Sequence, residues 1–177
     1  MGIVRPIMMY GSDCLGKICE PVTDFGSELQ NLIADLIITC NNAPTGVGIA
    51  ASQIGVLQRV MIGVNNQIFV NPKIIELKGA ERSYREGCLS IPGVYAYLHR
   101  PQKVKLEWQD ENGDVHTKTF KGFEGLVIQH EYDHLEGLCF TDRLKPHELE
   151  KIEKDLNAIQ SGIYPGDDFT KYPFAWD

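Results

Sequence analysis

The chain has 177 residues, 43% of them hydrophobic and 23% charged, which fits a soluble globular protein with one core. A formal net charge of -7 and a pI near 5.2 argue against a nucleic-acid-binding surface, which needs clustered Lys and Arg. Five scattered Cys without a C-x-x-C pair (Cys14, Cys19, Cys40, Cys88 and Cys139) argue against a disulfide framework.

Residues 1–10 carry Arg5 and Pro6 and no continuous apolar run, so no signal peptide is read there. The most apolar run, Leu32 to Ile38, is broken by Asp35 and is too short to span a bilayer. The expectation is a single domain over residues 1–177, a monomer in a reducing cytoplasm, away from membranes.

Up to Cys19 the chain reads as an extended segment with turns at Gly11, Asp13 and Gly16. Phe25, Leu29, Leu32, Ile33, Leu36 and Ile37 recur at helical spacing, which predicts a helix from about residue 25 to residue 42, capped by Thr23 or Asp24. Val60–Val64 and Gln67–Val70 read as two strands of a tight hairpin turning at Asn65-Asn66. Lys73–Leu77 and Ala80–Arg85 read as further separate strands, and Ile91-Pro92-Gly93 as a turn. Lys103–Trp108 and Val115–Lys121 alternate with period two across a turn-rich link, which predicts a hairpin with one wet face.

A helix follows, anchored by Phe123, Leu126, Val127 and Leu138 and stopped near Gly137. Residues 147–160 form a last amphipathic helix with Leu149, Ile152, Leu156 and Ile159 inward, Pro146 at its start and Gly162 at its end. The placement of the tail, residues 163–177, is not readable. Strands bunched between helices suggest an α+β fold.

The helix before the last carries His130-Glu131-Tyr132-Asp133-His134, an H-E-x-x-H motif. Positions i and i+4 share one helix face, so both imidazoles can reach one metal ion with the Glu close by. The residue that would complete H-E-x-x-H-x-x-G-x-x-H is Phe140, which excludes that class of metallopeptidase. Two kinds of third ligand remain. One is a downstream Glu (Glu148, Glu150 or Glu153), on a charge-rich helix that reads as solvated. The other is Cys88, in the polar stretch Glu86-Gly87-Cys88-Leu89-Ser90; a thiolate with two imidazoles leaves an open fourth position. His99, His116 and His147 have exposed contexts, and Cys139 reads as a small buried apolar group.

Gly46-Val47-Gly48-Ile49-Ala50-Ala51 formally matches the dinucleotide-loop pattern G-x-G-x-x-A. It follows a helix instead of a strand, and Asn65, Asn66 and Gln67 stand where an acidic ribose ligand belongs, so that reading is rejected. Two Gly flanking a small apolar residue would let an extended peptide bond alongside.

Three separated stretches together resemble the peptide deformylase family. Gly46 to Gln53 is similar to its motif G-φ-G-φ-A-A-x-Q, where φ is apolar; Glu86 to Ser90 to E-G-C-φ-S; and Gln129 to His134 to Q-H-E-φ-D-H. The resemblance covers about residues 3–145 and leaves the C-terminal helix and tail, about residues 146–177, outside. It implies an antiparallel-rich α+β fold packed around the H-E-x-x-H helix, with an N-terminal and a C-terminal helix. It implies removal of the formyl group from the N-terminal formyl-methionine of nascent polypeptides, with release of formate, and the ribosome exit region as a further partner.

The ligands implied are Cys88, His130 and His134, with Glu131 as general acid and base. Gln53 and the Leu89 backbone N–H are implied as oxyanion donors, and Val47, Gly48 and Gly87 as positions that align the peptide. Asp133 is implied as a supporting residue. One divalent ion is implied: Cys with two His suits zinc by softness, whereas the family implies ferrous iron in the cell, with nickel, cobalt or zinc able to substitute. The chain departs from many bacterial members where they carry Arg; Gly93-Val94-Tyr95-Ala96-Tyr97 stands there, with Arg100 further on. Competing readings are a metallopeptidase with a downstream Glu ligand and a catalytically inactive peptide-binding relative.

Overall fold

A computed structural model describes residues 2–163 and 174–175. In chain order the elements are β1 (Ile7–Met8), α1 (Ser27–Asn42), β2 (Ile49–Ala50), β3 (Val60–Ile62), β4 (Ile68–Cys88), β5 (Ile91–Gln109), β6 (Val115–Lys121), α2 (Gly122–Leu135), α3 (Pro146–Leu149), α4 (Glu153–Gln160) and β7 (Phe174–Ala175). β2-β3-β4-β5-β6 form one five-stranded antiparallel sheet. β1 pairs with β7 in parallel. The α+β architecture is the expected one. Among the described residues no helix is long and apolar enough to cross a membrane.

Among the described residues three apolar clusters hold these pieces together. Leu29, Leu32, Ile33 and Leu36 of α1 pack on Ile49, Val60 and Ile62. Ile128 and Leu135 of α2 pack on Phe69, Val104, Leu106 and Phe120 across the sheet. Ile91, Val94 and Leu98 of β5 meet the N-terminal segment, Phe140, and Leu156 and Ile159 of α4. Each such side chain, fully buried, contributes about 1.5–3 kcal/mol of transfer free energy.

Asn65 and Asn66 both have positive φ, 57° and 60°, as a tight hairpin turn requires, and Gly63 N–H closes it onto the Gln67 carbonyl at 2.8 Å. The two strands expected over 73–77 and 80–85 are instead one, β4, whose pairing with β5 skips at Val70/Lys73, Ile74/Glu76 and Lys78/Glu81. Gly79, at φ 84°, sits in the last of these bulges, so its turn signal marks a kink and not a strand end.

The turn expected at Ile91-Pro92-Gly93 lies inside β5. The chain reverses at Leu89-Ser90, with Cys88 paired to Ile91 and Gly87 to Tyr95. Residues 92–94 are extra on β5, a bulge that absorbs the missing N–H of Pro92 and the positive φ of Gly93.

The single helix expected over 147–160 is two, α3 and α4. The first ends at Leu149; the Ile152 N–H bonds back three residues to the Leu149 carbonyl, and Ile152, at φ -113°, is the N-cap of the second. Ile152, Leu156 and Ile159 still face inward. Phe123, expected as an anchor, is 57% exposed, at the start of α2. Beyond Ile163, only Phe174 and Ala175 of the tail lie within the described residues.

α2 stops because Gly137 turns left-handed at φ 72°, letting Leu138 N–H reach the Asp133 carbonyl at 2.9 Å. A Cβ on Gly137 would also stand 2.8 Å from the Gly16 backbone, whereas Gly162, at φ 78°, has open space. Gly137→Ala is therefore expected to destabilise by about 2–4 kcal/mol and Gly162→Ala by about 1 kcal/mol. Urea unfolding midpoints of the two variants would check the difference.

Candidate active site

Residues 130, 131, 133 and 134 reach the sheet because α2 lies across it, with Val127, Ile128 and Leu135 buried beneath. Cys88 is the last residue of β4, beside the Leu89-Ser90 reversal. This places Cys88 Sγ 3.2 Å from His134 Nε2. The rings of His130 and His134 meet edge to face at 5.1 Å. One ligand atom from each of Cys88, His130 and His134 lies within 4.8 Å of the others; no further such group of His, Cys, Asp or Glu occurs among the described residues. Glu148, Glu150 and Glu153 are not part of it, and His99, His116 and His147 are exposed.

A cavity of about 290 Å³ opens onto this cluster. Val47, Gly48, Gln53, Gly87, Cys88, Leu89, His130 and Glu131 all line it, while His134 sits behind with no exposure. The residues that the resemblance implies as ligands, acid and base, oxyanion donors and peptide-aligning positions are thus at or beside one cavity, whereas Glu148, Glu150 and Glu153 are not.

Gly48 makes room for Glu131. A Cβ there would stand 2.7 Å from Glu131 Oε1 and 2.7 Å from Val127 Cγ1. Gln53 is fixed from both ends. Its Oε1 accepts the Ala50 N–H at 2.9 Å, and its Nε2 faces Ser90 Oγ at 3.2 Å and Cys88 Sγ at 3.4 Å.

Beneath the cluster runs a buried chain of charge. His130 Nδ1 lies 2.9 Å from Glu86 Oε2, which leaves Nε2 to face Cys88 and His134. Arg100 donates to both oxygens of Glu86, at 2.6 and 2.8 Å, and to Asp133 Oδ2 at 2.8 Å. Arg143 caps Asp133 from outside. Asp133 thus meets Arg100 and Arg143, and Arg100, which does not line the cavity, is an internal counter-charge.

Sequence reasoning did not single out Glu86 or Arg100 for this. Arg100 falls in the inward phase of the alternation Val94, Ala96, Leu98, where an unpaired guanidinium is too costly to bury, so a buried acidic partner was implied.

The electrostatics follow from these contacts. Burial alone would raise the Glu86 carboxyl, but the hydrogen bonds from Arg100 and His130 outweigh it and hold it near 2. Burial likewise opposes ionisation of Cys88, but the charge of His134 and the hydrogen bonds from both imidazoles bring the thiol down to about 5, so the thiolate is favoured. Glu131 goes the other way: burial raises it to about 7 against the pull of His130 and His134.

Thiolate sulfur with two imidazoles is a donor set for a divalent ion. Glu131 Oε2 is buried with no hydrogen-bond partner among the described residues, as a group awaiting a ligand would be. The residues present fit a metal.

Removing Arg100 would leave buried Glu86 with His130 alone and buried Asp133 with Arg143 alone. Arg100→Met is expected to cost about 3–5 kcal/mol of stability and to weaken metal retention by roughly 10–100-fold. Urea unfolding and metal analysis after dialysis would check both.

The polypeptide deformylase family model matches residues 4–150. The peptide deformylase of Pelodictyon phaeoclathratiforme is 35% identical over 181 residues, covering 97% of this chain and 93% of that protein. That of Leptospira biflexa serovar Patoc is 38% identical over 174 residues, covering 88% and 96%. Among solved structures, a peptide deformylase from Legionella pneumophila superposes with a TM-score of 0.83 at 34% identity, covering 90% of this chain and 96% of that one. A Plasmodium falciparum peptide deformylase in complex with an inhibitor gives 0.82 at 32%, covering 86% and 97%. A thiolate–bis-imidazole cluster under a cavity, a family model spanning most of the sequence and relatives matched over nearly their whole length lead to one conclusion: the chain belongs to the polypeptide deformylase family.

Proposed function

We infer that the chain hydrolyses the formyl group from the N-terminal formyl-methionine of nascent polypeptides, releasing formate. The observation that carries this is the Cys88–His130–His134 cluster with Glu131 beside it on the cavity wall. A metallopeptidase with a downstream Glu ligand is not favoured, because no Glu of α3 or α4 joins the cluster. A binding relative would need neither the unpartnered Glu131 carboxylate nor the pinned Gln53 amide.

Cys88, His130 and His134 are the residues that would hold the ion. When bound it supplies Lewis-acid polarisation and activates water at neutral pH. A formamide is a poor electrophile, so the attacking water must lose a proton, and Glu131 accepts it. As the C–N bond breaks, Glu131 passes that proton to the leaving amine; formate and a free N-terminus result. Charge that builds on the formyl oxygen is met by the Gln53 amide and the Leu89 N–H. Supporting this, Gln53 Oε1 is held by the Ala50 N–H, which fixes its NH2 end toward Cys88. Val47, Gly48 and Gly87 align the peptide backbone, supported by their place in the cavity lining.

The ion in the cell is Fe2+, with Zn2+, Ni2+ or Co2+ able to replace it. The protein acts as a single-domain monomer in the cytoplasm, meeting its substrates near the ribosome exit.

Formate release from a formyl-Met peptide by metal-loaded protein is the direct test, and its absence would sink the reading. Glu131→Gln is expected to lower kcat by about 10²–10⁴-fold with metal content retained, and Gln53→Ala by about 10²–10³-fold. Chelation is expected to abolish formate release and anaerobic Fe2+ to restore it. Metal analysis of anaerobically purified protein would identify the ion.

A further inference from the structure

Beyond Val70, β4 is paired only on its β5 side among the described residues. Its other edge runs to Gly87 and Cys88, which line the cavity together with Val47 and Gly48. A peptide extended along this edge with its formyl end at Cys88 advances about 3.3 Å per residue. Its second and third residues then lie beside the stretch of β4 that precedes Gly87.

Arg85 occupies that stretch. It is exposed, and among the described residues it is the only Arg or Lys that lines the cavity. Among the described residues it has no ion pair. Its guanidinium lies over the Tyr95 ring, 4.1 Å from the centroid. Tyr95 in turn packs on Gly87, where an added Cβ would stand 2.6 Å from the ring. A cation on an aromatic face is pre-placed without being neutralised, so it keeps its full charge for a ligand. The two carboxylates nearby do not compete for it by pairing: Glu86 is tied to Arg100 and His130, and Glu131 lies on the cavity wall at the metal cluster.

We propose that Arg85, held by Tyr95, is a specificity-determining residue that favours formyl-peptides with an acidic side chain at the second or third position. The proposal rests on the deformylase reading and assigns the charge preference of the same cleft.

The test uses C-terminally amidated peptides, so that the only carboxylate is a side chain: formyl-Met-Asp-Ala and formyl-Met-Ala-Asp, each with its Asn and Lys counterparts. The readout is the Asp/Lys ratio of kcat/KM within one preparation, which is independent of the fraction of folded, metal-loaded enzyme. Wild type is expected to favour Asp about three- to fivefold at one of the two positions, the scale of one exposed ion pair. The difference should lie in KM with kcat unmoved, and should shrink at high salt. Arg85→Met should bring the ratio to about one, Arg85→Glu should invert it, and Arg85→Lys should retain part of it. An Asp/Lys ratio that is the same in wild type and Arg85→Glu would overturn the proposal. Failure to release formate even from the Asn peptides would overturn the deformylase reading instead.

Discussion

The guanidinium of Arg100 is the constraint on which the rest of the site depends. It projects from β5 into the space between the sheet and α2, where it meets one carboxylate from β4 and one from α2. Three buried charges are costly to desolvate unless each is paired and hydrogen-bonded. Here they are, so the arrangement has one low-energy geometry and not several. Glu86 is two residues before Cys88 on β4, and Asp133 lies between His130 and His134 on α2. Fixing these two carboxylates on one guanidinium fixes the strand and the helix against each other, and with them the thiolate and the imidazoles. Ligand geometry is thus set by groups that touch no ligand position themselves, apart from the bond between Glu86 and His130.

The same arrangement sorts the two glutamates into opposite behaviours. Glu86 has three donors and stays ionised. Glu131 has burial without donors, and its carboxyl is pushed toward neutrality. One carboxylate is structural because it is satisfied, and the other is available for proton transfer because it is not. Gly48 maintains the second condition by leaving space for the carboxylate without offering it a polar side chain.

Much of this was legible in the sequence, for identifiable reasons. Spacing of four on a helix is strict, so His130 and His134 could be paired from the letters alone. The Asn65-Asn66 turn was equally explicit, and so was the hairpin of Val115–Lys121 with the end of β5, although β6 does not alternate in burial and buries only Phe120. The length of β4 was not, because Lys78-Gly79-Ala80 carries a breaker that the structure spends on a bulge. Pro92-Gly93 misled for the same reason: a bulge and a chain reversal need the same residues. The ionic chain was hidden because its members stand at 86, 100 and 133, and local patterns do not report pairings across such separations. Arg85 and Tyr95 became a pair only once the register of β4 with β5 set Gly87 opposite Tyr95.

The reversal at Leu89-Ser90 has a mechanical consequence. Cys88, Leu89 and Ser90 are consecutive, and the Tyr10 N–H holds the Ser90 carbonyl at 2.9 Å. Gln53 is attached to this same tip through Ser90 Oγ and Cys88 Sγ. Sulfur, backbone donor and side-chain amide are thus gathered at one reversal, and that reversal is fastened from outside the hairpin by Tyr10 and by Gln53. A long and bulged hairpin can therefore bear one side of the site because its tip is tied to other elements.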